Sequence, residues 1–416
     1  MRTRSRSWSG PSWKHGRGLY NAGHFGLRPR ARPISGRLCL SSLWLALPLV
    51  PAVLDTLVRA RLALAAGRVR ESVTRLARSV RWLVVVPARG EGKFVEPTLR
   101  SLAAAACGRS VQVLVLLDGR DPQTEGCARE LGVETVLKEP AGPSKGAALA
   151  WLVREQSRRL VEADAVLLLD VGSTAPSDLF ALLQWPDGVA GLQTRLAGVG
   201  SGAGRAVAHS ERAAQEWEDC GRQALGWGVR LRGTGTALTP QALSWVAPRL
   251  RTRIEDLEAS LLLTSAGFRL ELSPAVVMDE KPTTVGDASR QRARWLVGRG
   301  HLAVRHVGSL VRLLVRNPGE GTAFAFELAS RPLSLTALLR MVVAGAVIAS
   351  LCRGTTNSAA GLAVASALVG SVVGDLVLLR LAGRIDWRGA AQLVWAWLGA
   401  VVMVPRALLR WTRVKR

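Results

Sequence analysis

The chain has 416 residues, of which 48% are hydrophobic and 21% are charged, and its formal net charge is +25. This length allows more than one domain, and the apolar share is high for a soluble enzyme. The five cysteines are scattered without a Cys-x-x-Cys pair, so neither a disulfide framework nor a zinc site is predicted.

The excess of positive charge admits two interpretations. Nucleic-acid binding is the first, but the arginines are spread over both ends of the chain and stand beside apolar runs. The sequence shows no helix-turn-helix, zinc-knuckle or RNA-recognition signature. Basic segments beside membrane segments favour the cytoplasmic side and anionic lipid. Composition therefore favours a soluble domain flanked by membrane segments over a nucleic-acid-binding protein.

The N-terminal end holds a basic tail and an apolar segment. Residues 1–37 are rich in Arg, Ser, Gly and Pro without an apolar period, which predicts a disordered tail; a misassigned start codon explains them equally well. Residues 38–54 are nearly all apolar but are interrupted by Pro48 and Pro51. They are close to the lower limit for a span, about 17–20 residues, so a spanning helix, a re-entrant hairpin and an interfacial helix remain open. Residues 59–81 are Arg-rich and amphipathic and suit a membrane surface.

From Trp82 onward, apolar strands alternate with helix-like stretches. The sequence predicts strands at 83–86, 111–117, 133–137 and 165–169, and helices at 94–106, 122–131 and 145–160. This alternation of continuous apolar strands with helices implies a mostly parallel sheet covered on both faces. Ligands of such sheets bind beyond the carboxyl ends of the strands. Asp118 and Asp170 both stand at such ends.

The C-terminal part of the chain is apolar again. Residues 296–315 form an Arg-punctuated amphipathic stretch that suits a membrane interface. Residues 333–351 and 359–379 are long enough to span a bilayer, and 390–404 is shorter. The predicted regions are a disordered tail (1–37), a span or hairpin with an amphipathic segment (38–81), a soluble domain (82–300), interfacial helices (301–332), two to three transmembrane helices (333–405) and a basic tail (406–416).

Polar groups in the soluble domain suggest chemistry. Lys145 stands at a predicted helix start, where backbone N–H groups and an ammonium suit a diphosphate, although a solvated lysine explains the pattern equally well. Asp256 lies off the apolar face of its predicted helix and can point into a cleft; a stabilising acid at a helix N-terminus is the alternative. Gln291, Arg294 and Trp295 share one helix face, as they also would on a basic amphipathic helix.

Taken in order, these pieces resemble the active site of the membrane-bound family 2 glycosyltransferases. Asp118, Asp170 and Asp256 match the three aspartate motifs, and residues 291–295 match the QxxRW motif. In these motifs, which lie within roughly residues 82–300, the chain is similar to polysaccharide synthases and ceramide glucosyltransferases. The resemblance implies an α/β fold of the GT-A (nucleotide-diphospho-sugar transferase) type, with a mostly parallel sheet and flanking transmembrane or interfacial helices.

The resemblance also implies a reaction, the inverting transfer of a hexose from a UDP-sugar to an acceptor hydroxyl at the membrane. It implies that Asp256 is the general base and that Glu255 and Arg294 are the other catalytic residues. Mg²⁺ or Mn²⁺ is expected at Asp170, although Gly172 stands where the family has a second aspartate. The implied donor-binding residues are Pro87, Arg89, Glu91, Asp118, Lys145 and Asp170. The implied acceptor and diphosphate residues are Gly233, Thr234, Gly235, Gln291 and Trp295.

Several hypotheses about acceptor and class remain open. The acceptor is a lipid or a growing polysaccharide, and the few predicted spans and the Asp-x-Gly form favour a lipid. The expected partners are a nucleotide sugar, this acceptor and membrane lipids, without nucleic acid. The expected location is a membrane such as the bacterial inner membrane, with the catalytic domain cytoplasmic. One alternative is a catalytically silent transferase-like scaffold, which would account for Gly172 in place of the second aspartate. The other is a basic protein that binds membranes or nucleic acid.

Overall fold

The computed structural model describes residues 49–67, 80–282, 284–329, 333–354 and 358–381, together with short pieces between 387 and 403. The predicted tails at 1–37 and 406–416 lie outside these residues. So does most of the apolar segment at 38–54, of which the structure describes only the last part, at the start of a helix.

Within the described residues, an eight-stranded sheet forms the body of the protein. Its strands are β1 (Trp82–Ala88), β2 (Val111–Asp118), β3 (Glu134–Lys138), β4 (Ala165–Leu168), β5 (Ser173–Thr174), β6 (Gly191–Val199), β7 (Thr236–Leu238) and β8 (Leu270–Glu280). The α-helices are α1 (Leu49–Ala66), α2 (Val95–Ala106), α3 (Pro122–Glu130), α4 (Lys145–Glu155), α5 (Ser157–Glu162), α6 (Leu179–Leu182), α7 (Ala203–Ala214), α8 (Cys220–Ala224), α9 (Pro240–Val246), α10 (Glu255–Ala266), α11 (Val285–Arg305), α12 (Val307–Arg316), α13 (Pro318–Ala329), α14 (Leu333–Cys352) and α15 (Ser358–Leu381). A π-helical turn, Gln215–Asp219, joins α7 to α8.

The sheet is parallel in its first half and mixed in its second. The strand order is β3-β2-β1-β4-β7-β6-β8-β5, and β1, β2, β3 and β4 pair in parallel. β7 runs antiparallel to both β4 and β6, and β5 runs antiparallel to β8. The predicted mostly parallel sheet is therefore correct only for the first half. The direction changes because β7 begins opposite the end of β4, with Thr236 beside Leu168.

The first strand shows how the sheet is covered on both faces. Alternate side chains of a strand point to opposite sides. Val84 and Val86 accordingly lie in one buried cluster with α2, and Leu83 and Val85 lie in another with α4 and α10. The predicted helices also form, with 145–160 divided between α4 and α5. The first half of the domain thus has the layered arrangement that its apolar strands predict.

The segments 333–351 and 359–379, which were predicted to span a membrane, form the helices α14 and α15. Over the part of the chain that the structure describes, no helix is both long enough and apolar enough to cross a membrane. Arg340 of α14 forms buried ion pairs with Asp375 of α15 at 2.8 Å and with Asp55 of α1 at 3.1 Å, so charged groups lie where these three helices meet. The prediction of two to three transmembrane helices is corrected in this respect. The third segment, 390–404, is described only in pieces.

Candidate active site

Parts of the chain that are far apart in sequence meet beyond the carboxyl end of β4. They are the loop after β4, the loop before β7, the start of α10 and residues 291–295 of α11. Together they enclose a cavity of about 270 Å³. Its lining includes many of the predicted site residues: Asp170, Gly233, Thr234, Glu255, Asp256, Gln291, Arg294 and Trp295. The last two aspartates and the QxxRW motif therefore lie around one space.

Lys145 places a fixed positive charge between the acids of this site. Ser144 caps α4 by accepting a hydrogen bond from the backbone N–H of Ala147 at 3.2 Å, so the helix begins at Lys145. The ammonium group forms an ion pair with Asp170 and lies 3.7 Å from the carboxylate of Glu255. Burial opposes the charge, but Asp170 and Glu255 outweigh it and raise the pKa of Lys145. The lysine is therefore charged at neutral pH.

The loop from Gly233 to Gly235 lets two carboxylates approach the backbone. Gly233 and Gly235 have φ angles of 83° and 65°, which favour glycine. A Cβ on Gly233 would lie 3.6 Å from Oδ2 of Asp170 and 3.7 Å from Oδ2 of Asp256, so both carboxylates face the same small space. Thr234 accepts a hydrogen bond from the backbone N–H of Asp170 at 3.1 Å. The loop thus fixes Asp170 and leaves room between the two acids.

Asp256 and Glu255 open helix α10 with partly buried side chains. Oδ1 of Asp256 accepts a hydrogen bond from the backbone N–H of Leu257 at 2.8 Å, and Oδ2 faces the space at Gly233. Burial raises the pKa of Asp256. The pKa of Glu255 is raised to about 7. Burial is the main cause; the charge of Lys145 lowers this pKa and the charge of Asp256 raises it. A carboxylate with a raised pKa is a stronger base near neutral pH, as general-base catalysis requires.

The QxxRW segment presents three side chains to the cavity, as its spacing predicts. Oε1 of Gln291 is buried and accepts no hydrogen bond from the described residues. Arg294 is exposed, and Trp295 is partly buried beside it. Arg292 turns the opposite way: it is buried and donates a hydrogen bond to the carbonyl of Ala288 at 2.9 Å. The two arginines of one short motif therefore have different environments.

Of the six predicted donor-binding residues, Asp170 lines the cavity and the other five lie outside its lining, although Lys145 pairs with Asp170. Asp118 is buried; its Oδ1 accepts a hydrogen bond from the backbone N–H of Gly142 at 2.6 Å and lies 3.0 Å from Lys138. Arg89 donates to the carbonyl of Gly142 at 2.6 Å and lies 3.6 Å from Asp118. Pro87 is part of β1. These contacts tie the loops after β1, β2 and β3 together, and a role in nucleotide binding stays a prediction.

Asp170 offers a carboxylate to a divalent cation. Its side chain is 42% exposed, and its Oδ2 faces the space at Gly233. Glu91 is close enough that the charge of Asp170 adds to burial in raising the Glu91 pKa. The described residues include no group of three or more His, Cys, Asp or Glu that could hold a metal ion. Magnesium-type ions are commonly held by one or two carboxylates and the substrate phosphates, so these residues fit such an ion.

A buried charge network forms one wall of the cavity, and it was not predicted. Arg230 and Arg232 line the cavity and pair with Asp219 at 3.1 Å and 2.5 Å. Burial opposes the ionised form of Asp219, but Arg232 and Arg230 hold its pKa below the usual range. The sequence Arg-Leu-Arg at 230–232 could have indicated this network. Two arginines that flank a leucine in an apolar context need acidic partners.

The same network reaches two helices outside the predicted soluble domain. Arg230 also pairs with Glu218 at 2.6 Å and with Glu327 of α13 at 2.6 Å. Glu218 in turn accepts a hydrogen bond from Arg59 of α1 at 2.8 Å. Glu327 pairs with buried Arg222 at 3.1 Å. The wall of the cavity is therefore attached to α1, which precedes the sheet in sequence, and to α13, which follows it.

Comparison with known proteins agrees with this arrangement. The sequence profile described as glycosyl transferase family group 2 matches residues 166–369. No curated protein matches the chain. Among solved structures, the mannosyltransferase PcManGT from Pyrobaculum calidifontis, in complex with GDP-Man and Mn²⁺, is 17% identical over 86% of this chain and 97% of its own, with a TM-score of 0.52. Mannosyl-3-phosphoglycerate synthase from Rubrobacter xylanophilus is 17% identical over 58% of this chain and 76% of its own, with a TM-score of 0.35.

The fold and the site together define a glycosyltransferase of the GT-A type. Residues 166–369, which include the last two aspartates and the QxxRW motif, match glycosyltransferase family 2, so the protein is a glycosyltransferase that transfers a sugar from a nucleotide sugar.

Proposed function

We propose that this chain is an inverting hexosyltransferase that moves a hexose from a UDP-sugar to a hydroxyl group of a lipid. The observation that carries the proposal is the approach of Asp170 and Asp256 to the same space at Gly233. Lys145 and Arg294 stand beside that space. A base and cations around one cavity are the groups that a single displacement on a nucleotide sugar requires.

In the proposed mechanism, Oδ2 of Asp256 takes the proton of the acceptor hydroxyl. The acceptor oxygen attacks the anomeric carbon, and the bond from that carbon to the diphosphate oxygen breaks with inversion. The hydrogen bond from Leu257 to Oδ1 holds the carboxylate with Oδ2 toward the cavity. Lys145 and Arg294 balance the charge that develops on the departing diphosphate.

We further propose that Mg²⁺ or Mn²⁺ is held at Asp170 with the donor diphosphate. The mannosyltransferase that shares this fold was solved with GDP-Man and Mn²⁺. When bound, such an ion supplies positive charge to the diphosphate leaving group. Asp170 keeps one oxygen toward the cavity while Lys145 pairs with the other, so the residue can serve both cations.

An exposed apolar stripe supports a lipid acceptor and a location at the membrane. It consists of Val304, Val307, Val311 and Val315, which are between 50% and 78% exposed. Val307, Val311 and Val315 share one side of α12, which follows the QxxRW helix, and Val304 lies in the last turn of α11. Arg305 and Arg312 are exposed beside them, which suits an anionic lipid surface. A lipid held at this surface would have its hydroxyl near the cavity that α11 lines.

A donor screen tests the proposed reaction. Purified protein with Mn²⁺ is incubated with UDP-glucose, UDP-galactose or GDP-mannose and a membrane-lipid extract, and nucleotide release and glycolipid products are measured. We expect UDP release that depends on the lipid extract and is lost in Asp256→Asn. Nucleotide release with GDP-mannose and not with the UDP-sugars would show that the donor is not a UDP-sugar. Transfer to a polysaccharide would show that the acceptor is not a lipid. No release with any donor would refute the enzymatic proposal.

Binding to lipid vesicles tests the proposed location. We expect the chain to sediment with vesicles that contain anionic phospholipid, and Val307→Asp combined with Val311→Asp to abolish sedimentation. Val161→Asp is a matched control, because Val161 is 80% exposed on α5, which lies outside the stripe. Equal sedimentation of the two variants would rule out the stripe as the lipid-binding surface.

A further inference from the structure

The position at which the second aspartate is missing lies directly opposite another acid. Gly172 has a φ of 89°, and a Cβ on it would lie 4.0 Å from Oε2 of Glu280. Glu280 is the last residue of β8 and lines the same cavity as Asp170. A carboxylate from a distant part of the chain therefore reaches the space beside Gly172.

Strand pairing fixes this arrangement. β5 follows Gly172 immediately and runs antiparallel to β8, with Ser173 opposite Asp279. Gly172 and Glu280 are the residues next to this pair, which agrees with the 4.0 Å approach of Glu280 to a Cβ on Gly172. On its other side, Glu280 is paired with Val199 of β6. The position of Glu280 beside the cavity is thus determined by two ladders of the sheet and not by a loop.

Glu280 is also an acid in this area that is available to a ligand. Asp279 pairs with Lys281 and lies within hydrogen-bond distance of Ser173, and Glu211 pairs with Lys281 at 2.5 Å. The Glu280 carboxylate has no hydrogen-bond or ion-pair partner among the residues that the structure describes. An unpaired carboxylate that faces a cavity beside a second one is suited to a hard divalent cation.

We propose that Glu280 supplies the second protein carboxylate of the divalent-cation site, in place of the side chain that Gly172 lacks. This inference rests on the proposed function, because that function places the cation at Asp170. Asp170 and Glu280 then hold the ion from β4 and β8, with the donor diphosphate completing its coordination. On this basis the second carboxylate ligand is not lost in the Asp-x-Gly form, because Glu280 of β8 provides it in place of the residue at position 172.

Manganese binding to the full chain tests the proposal without any turnover. Purified protein is titrated with Mn²⁺, and the electron paramagnetic resonance signal of the free ion is measured. We expect Glu280→Gln to weaken Mn²⁺ binding by about tenfold or more, Glu280→Asp to weaken it less, and Asp170→Asn to weaken it as well. Glu130→Gln, the same change at an exposed residue of α3, should bind Mn²⁺ as the unmodified chain does. Circular dichroism establishes that each variant is folded.

The outcomes separate this proposal from the proposed function. Equal Mn²⁺ affinity of Glu280→Gln and the unmodified chain overturns the role of Glu280, even where nucleotide release from a donor continues. Absence of Mn²⁺ binding by the unmodified chain overturns it as well. A donor screen without nucleotide release refutes the proposed function whatever the Mn²⁺ titration shows.

Discussion

The ammonium group of Lys145 forms an ion pair with the carboxylate of Asp170 at the edge of the cavity. Both residues follow the pattern of a donor site, in which a lysine at a helix start and an acid at a strand end receive the diphosphate and its cation. The pair therefore links the two elements on which donor binding is predicted to depend, and it leads to the first prediction.

Lys145→Ala should raise the KM for the nucleotide sugar by about tenfold or more, because a hydrogen bond to a charged group contributes about 1.5–3 kcal/mol. Steady-state kinetics with varied donor measure this change. Arg158→Ala is the control, since Arg158 is 94% exposed on α5. An unchanged donor KM in Lys145→Ala would show that the lysine holds only Asp170 and Glu255.

Asp256→Asn should lower kcat by about 10²–10⁴-fold, the usual contribution of a general base, and leave the fold intact. Single-turnover rates measure the chemical step directly. Asp178→Asn makes the same change at an exposed residue outside the cavity and should retain full activity. A kcat for Asp256→Asn within a few-fold of the unmodified enzyme would move the role of base to another group.

The pH dependence of kcat/KM should show the raised pKa of Asp256. A general base works in its ionised form, so activity falls as the pH decreases through the pKa of that base. Because burial raises this pKa, the acidic limb should lie above the ordinary aspartate value of about 3.9. A pH profile between pH 4 and 9 measures it. Activity that stays constant down to pH 4 would contradict the assignment.

Arg294→Ala should reduce kcat by about 100-fold while leaving thermal stability unchanged, since Arg294 is exposed and is proposed to stabilise the leaving diphosphate. Arg290→Ala is a matched control on the same helix, because Arg290 is exposed and pairs only with a surface acid, Asp287, among the described residues. Rate and melting measurements on both variants test the difference. A lower melting temperature in Arg294→Ala alone would indicate a structural role.

Asp219→Ala should destabilise the protein by about 3–5 kcal/mol, because it removes the ion-pair partner of the buried Arg232 and one of the three acids that pair with Arg230. Urea unfolding measures the change. Glu96→Ala, which removes the exposed pair with Arg100, should cost no more than about 0.5 kcal/mol. Similar costs for the two variants would mean that the network contributes no more than a surface pair.

The sequence predicted the first half of the sheet because β1, β2 and β4 are largely apolar runs, with β3 as a weaker one. It did not predict the second half, for physical reasons visible in β6, where Gln193 and Thr194 are fully buried within the strand. The side-chain amide of Gln193 is satisfied within the sheet; it donates, for example, to the carbonyl of Thr234 at 3.0 Å. Such a strand has neither an apolar run nor a regular alternation.

The site shows a similar division. Asp170, Asp256 and the QxxRW side chains could be predicted because each stands in a recognisable local context, such as a strand end or a helix face. Glu280 could not be assigned a role, because its position beside Gly172 follows from the pairing of β5 with β8, which no local pattern specifies. Distances between elements of this kind appear only when the sheet is assembled.

The attachment of the cavity wall to α1 and α13 bears on how the enzyme can be trimmed. A fragment limited to residues 82–300 would retain every strand and every motif, yet it would lack Arg59 and Glu327, which accompany Glu218 and Arg230 in the network. The smallest autonomous catalyst is therefore longer than its sheet. We expect the shortest folded fragment to include α1 and α13, which carry no motif but whose Arg59 and Glu327 neutralise buried charges.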